Sequence, residues 1–164
     1  MNLSTASRTG ACVAAVLILY WIGLCVGTHL PPHTPILHWI DGLWDKALHF
    51  SGYGGLAFLL ALTWALARQR RHSGPKVGGA SFAQRCGRFF AQRTPCLNYL
   101  LIWTVVVAYG SVDEPTQPLF QRDCDIFDLL ADALGAATAL ALFALLMALG
   151  RRYWGDPRAN EQAF

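Results

Sequence analysis

The chain has 164 residues, 54% of them apolar and only 14% charged, with a mean hydropathy of +0.35, whereas soluble domains carry about a quarter charged residues. That apolar content excludes a disordered chain, and five irregularly spaced cysteines exclude a disulfide-built scaffold. The length admits one small bundle, and a net charge of +3 is too modest to argue for a nucleic-acid partner.

A helix that crosses a membrane needs roughly 17 to 25 mostly apolar residues. Four stretches between charge clusters meet that need: 10–27, 46–67, 96–112 and 126–149. The first carries no charge and is read as a retained helix; its apolar run is long for the core of a signal peptide, although Arg8 precedes it and Cys25-Val26-Gly27 ends in small residues. The third is the weakest, and its core from Leu100 to Ala108 is apolar and partly β-branched. An isolated strand would leave its backbone groups unpaired in lipid, so a helix is expected there too. The prediction is an all-α polytopic membrane protein, a single domain over residues 1–164 with four transmembrane helices.

Lysine and arginine set the orientation. Seven of them, Arg68, Arg70, Arg71, Lys76, Arg85, Arg88 and Arg93, fall in the loop 68–95, which marks it as cytoplasmic and places both termini inside. Eight of the ten carboxylates (Asp41, Asp45, Asp113, Glu114, Asp123, Asp125, Asp128 and Asp132) then lie at the outer side, with only Lys46 and Arg122 among them. Arg85, Arg88, Phe89 and Phe90 are spaced for a short interfacial helix. The location expected is a bacterial cytoplasmic membrane, crossed several times.

Ionisable residues in or beside spanning segments are costly and are often functional. Here they form two stripes. Lys46, His49 and Tyr53 stand at i, i+3 and i+7 of the second span, with Asp45 four residues before His49; Asp128, Asp132 and Gly135 share a face of the fourth span, which Asp125 caps. Lys46 at a helix start and Asp113-Glu114 at a helix end both oppose the helix dipole. Pairing them would relieve both, leaving Arg122 for Asp128 or Asp132. Pro115 should end the third span, and Pro118 should keep Thr116 to Phe120 extended over the helix mouths.

Three readings of this cluster stand. It is a buried network that fixes helix packing, with Gly52, Gly54, Gly55 and Gly135 admitting close approach. Or it is a binding or catalytic site for a polar headgroup, with Lys46, His49, Tyr53 and Arg122 receiving phosphate or carboxylate. The third reading is a metal site built from His49 and carboxylates, but no HExxH or paired-cysteine spacing supports it, so neither metal nor cofactor is expected. His29, His33 and His38 lie among prolines and read as solvated loop residues, and the cysteines are too scattered for a disulfide. Most of the tryptophans read as interfacial belts.

The pattern Asp45-Lys46-x-x-His49-Phe50-x-x-Tyr53, followed by Asp113-Glu114-x-x-Gln117, then Arg122, Asp128 and Asp132-x-x-Gly135, resembles the VanZ-like family of small integral membrane proteins. The resemblance covers residues 41–145, with Asp132 standing where many members carry Asn and with a longer basic insert. It implies a multi-span membrane protein whose namesake lowers susceptibility to teicoplanin-type glycopeptide antibiotics, without implying a reaction. The functional residues expected are Lys46, His49, Tyr53, Asp113, Glu114, Gln117, Arg122, Asp128 and Asp132. Expected partners are the bilayer and an envelope-lipid or peptidoglycan-precursor headgroup. An alternative is a membrane-embedded hydrolase or transferase acting on phosphate or amide groups of envelope lipids, with His49 or Glu114 as base.

Overall fold

The computed structural model describes residues 3–31, 42–73 and 95–154. Its elements are α1 (Leu3–Thr28), α2 (Gly42–Ser73), α3 (Pro95–Asp113), a 3-10 helix (Glu114–Phe120) and α4 (Ile126–Trp154). Each of the four α-helices contains a stretch long and apolar enough to cross a membrane: Arg8–Thr28, Asp45–Gln69, Cys96–Phe120 (which runs on into the 3-10 helix) and Ile126–Gly150. Leu100 to Ala108 is helical throughout, as expected. The proposed interfacial helix around Arg85 to Phe90, most of the basic loop, and His33 and His38 lie outside the described residues.

The central pair is α2 with α4, packed parallel. His49 meets Asp132, Gly54 meets Gly135 and Phe58 meets Phe143, so contacts descend both helices in the same direction. Small residues allow the approach. A methyl group on Gly135 would run into the Phe50 backbone, and one on Gly54 would lie 3.1 Å from the Gly135 carbonyl oxygen. α1 and α3 run the other way. Tyr20 of α1 donates from its hydroxyl to the Gly52 carbonyl at 2.9 Å, and Trp103 of α3 donates to the Ala133 carbonyl at 3.0 Å. The ends of α1 and α3 thus meet the starts of α2 and α4 at one end of the bundle.

Below that end the core is apolar, with Leu56, Ala57, Ala61, Ile102, Val106, Ala136, Leu140 and Phe143 packed together. Around it the usual distribution is inverted. Large apolar side chains such as Leu19, Ile22, Leu134 and Leu145 face outward, while Asp113, Glu114, Gln117, Asp128 and Asp132 are buried.

One expectation fails: the segment after α3 is not extended. Thr116 to Phe120 continues as a 3-10 helix, since proline's φ near −65° suits that helix as well as an extended chain. The Thr116 hydroxyl also ties back to the Asp113 carbonyl at 2.6 Å. The helix closes at Gln121, whose φ of 62° is left-handed, with Gln121 N–H bonded to Pro118 O and Arg122 N–H to Gln117 O. That reversal is a Schellman-type stop. It turns Arg122 back toward the bundle.

Candidate functional site

A 3.6-residue period places Lys46, His49 and Tyr53 on one face of α2, and the parallel packing lays that face along the acidic stripe of α4. The contacts form rungs. At the rim, Arg122 Nη2 donates to Asp45 Oδ1 at 2.8 Å, and Lys46 Nζ donates to Asp125 Oδ2 at 2.6 Å and Asp128 Oδ1 at 2.9 Å. One turn deeper, His49 Nδ1 lies 2.9 Å from Asp132 Oδ1. Deeper again, Tyr53 donates its hydroxyl hydrogen to Asp113 Oδ2 at 2.9 Å, and the Tyr53 ring stacks parallel to that of His49.

The pairing expected from helix dipoles is therefore wrong in its partners. Lys46 takes Asp125 and Asp128 rather than Asp113 or Glu114, and Arg122 takes Asp45 rather than Asp128 or Asp132. The helix dipole sets the sign of a favourable neighbour but not which helix stands next door. Close glycine contact between α2 and α4 decides that, and it sets Lys46 beside acids already favourably placed at the start of α4. Asp125 caps α4 as expected, accepting from Phe127 N–H at 2.9 Å. The Lys46 ammonium, and then this backbone bond, hold the Asp125 carboxyl below its ordinary range.

Asp113 is satisfied by neutral donors instead of a lysine. Besides Tyr53 it receives the Thr28 hydroxyl at 3.3 Å. His29, read as solvated from its proline neighbours, is a correction: its Nε2 lies 2.9 Å from Thr116 Oγ1, and its ring meets Phe120 edge-on. Sequence reasoning missed Thr28, His29 and Thr116. The available signal was that residues 28–29 end one helix at the end of the bundle where α3 also ends.

Glu114 and Gln117 complete the deep layer. Gln117 Nε2 donates to Glu114 Oε1 at 3.0 Å, Asp125 N–H donates to Glu114 Oε2 at 3.3 Å, and Glu114 Oε1 lies 3.8 Å from His49 Nδ1. His49 and Glu114 are each 4% exposed, and Asp132 and Gln117 are fully buried. Removing a carboxylate from water costs several kcal/mol unless it is matched. Yet Asp132 Oδ2 and Gln117 Oε1 have no partner among the described residues. All nine residues expected at the site gather at this end of the bundle. They divide into a rim, where Lys46 is half-exposed while Arg122 is more enclosed and Asp128 is buried, and a buried floor.

A cleft of about 370 Å³ opens between α1 and α2 onto this network. Asp45, Arg122 and His49 form its polar side; Tyr20, Leu24 and Leu48 form its apolar side. Chemically, a carboxylate-oriented imidazole at the edge of such a cleft can hold a ligand's hydrogen bond or move a proton, and Arg122 can face an anion. No family model, curated protein or solved structure matches this chain.

Proposed function

We propose that this chain is a four-span, VanZ-like membrane protein with both termini cytoplasmic, whose polar end faces outward and binds the headgroup of an envelope lipid or peptidoglycan precursor. By occupying such a ligand it alters the response to teicoplanin-type glycopeptides without chemical turnover. The observation that carries this reading is the cleft, polar along Asp45, His49 and Arg122 and apolar along Leu24 and Leu48, which suits a molecule with a charged head and a greasy tail. The outward apolar side chains on α1 and α4 support burial in a bilayer, and the basic loop 68–95 supports the orientation.

The test compares wild type with Arg122→Ala and Lys46→Ala in a glycopeptide-susceptible bacterial host, scoring folded protein in membranes and antibiotic susceptibility. Variants that accumulate normally yet lose the wild-type effect support the reading. Wild type without any effect on susceptibility, and without binding to lipid-linked precursors in detergent, removes it.

The His49–Asp132 contact favours one alternative, a membrane-embedded hydrolase or transferase with His49 as base. It requires a change in envelope-lipid species on expression, abolished in His49→Ala.

A further inference from the structure

We propose that the floor of the polar end is a binding site for one divalent transition-metal ion of the zinc or manganese type, held by His49, Glu114 and Asp132 with Gln117 Oε1 at its edge. This is independent of the lipid-ligand reading above and stands or falls without it.

At the rim each carboxylate touches a permanent cation, with Lys46 on Asp125 and Asp128 and Arg122 on Asp45. The floor has no such cation among the described residues. Glu114 and Asp132 are two buried carboxylates whose shared titratable neighbour is His49, and an imidazolium neutralises only one of them. A divalent ion with two carboxylates and one neutral imidazole makes a set of zero net charge, the state that a dry interior favours.

One ligand atom from each of His49, Glu114 and Asp132 lies within 4.8 Å of the other two. Ligands of a tetrahedral ion sit about 3.4 Å apart and adjacent ligands of an octahedral ion about 3.0 Å apart. The observed separations of 2.9 Å and 3.8 Å from His49 Nδ1 bracket those values. A neighbouring triad of Asp45, His49 and Asp128 is equally compact, but its carboxylates are held by Arg122 and Lys46. That set is already spent on cations.

Asp132 Oδ2, the second oxygen of a triad carboxylate, and Gln117 Oε1, on the side chain bonded to Glu114, are wholly buried acceptors without a donor among the described residues. Gln117 reaches Glu114 through its amide nitrogen, so its carbonyl oxygen belongs to the same small space. Acceptors left over around a His-carboxylate set are what a cation consumes. On binding, the ion replaces the proton shared by His49 Nδ1 and Asp132 Oδ1, which leaves to solvent. Entry is by the cleft that His49 lines. An imidazole with carboxylates selects zinc or manganese over calcium, which takes oxygen ligands alone.

The experiment uses the full chain in detergent, with any affinity tag removed and metal stripped by a chelator. Zn²⁺ titration should saturate near one ion per chain and raise the unfolding temperature, and a hundredfold excess of Ca²⁺ should not displace it. Co²⁺ should give visible bands of nitrogen and oxygen ligation that equimolar Zn²⁺ removes. His49→Ala and Asp132→Asn should weaken Zn²⁺ binding at least tenfold, while a His33→Ala/His38→Ala double variant binds as wild type does. Absence of saturable binding and of Co²⁺ bands in wild type overturns the proposal even if the variants do not fold. So does full-affinity binding by folded His49→Ala, or loss of binding in the His33/His38 variant.

Discussion

The rim and the floor of the polar end use the same residue types yet obey different physics. At the rim, Lys46 is 39% exposed and Asp125 36%, and water can replace either partner of their pair. At the floor, Asp132 is fully buried and Glu114 nearly so, and a lost partner leaves a group that water cannot reach. Ion pairs visible on a contact map are therefore not equivalent. A partner lost between Lys46 and Asp125 can be replaced by water; a partner lost at the floor leaves a buried polar group exposed to neither water nor a mate.

Substitutions should separate the two regions by size of effect. Asp132→Ala strands His49 without its carboxylate and should cost about 3–5 kcal/mol in unfolding experiments in detergent; a loss below about 1 kcal/mol would place the floor on the same footing as the rim. Gly135→Ala puts a methyl group into the Phe50 backbone, which cannot swing aside as a side chain would. It should cost about 1–3 kcal/mol and weaken floor and rim together, because both depend on how closely α2 approaches α4.

Smaller changes probe the rim. Arg122→Ala removes the bond to Asp45 and should cost about 1 kcal/mol or less, while still abolishing the antibiotic effect expected of the ligand site. Gln121→Gly relieves the left-handed backbone that turns Arg122 inward, and should raise stability by about 1 kcal/mol at most, since glycine also gains freedom in the unfolded chain.

The smallest effect concerns pH. Asp125 is held below its ordinary range in the folded protein, so the Lys46–Asp125 pair contributes fully above the unfolded carboxyl's titration. That contribution fades as pH falls through the depressed native value. Stability measured on the acid side should therefore drop less steeply in Lys46→Met than in wild type, and equal slopes would show that the pair is not felt.

The helices and their polar stripes were legible because they rest on local periodicity. Four apolar runs, the Lys46-His49-Tyr53 face and the Asp128-Asp132-Gly135 face can all be read from spacing alone, and the structure places the two faces against each other. Which cation meets which acid was not legible. Lys46 and Arg122 each have several acids at the same end of the bundle, and the choice between them turns on helix adjacency. His29 was misjudged for a related reason: the nearby prolines are local information, whereas Thr116 and Phe120, which hold it, are about ninety residues away in the chain.

Composition and spacing by themselves determined an all-α chain with four apolar helices and a cluster of ionisable groups near their ends, because hydropathy and helical period are properties of neighbours in sequence. The parallel marriage of α2 to α4, the division into rim and floor, and the meeting of His49, Glu114 and Asp132 were decided only in three dimensions. The glycine contacts that set them join residues about eighty positions apart, and no local pattern encodes which distant surface will fit there.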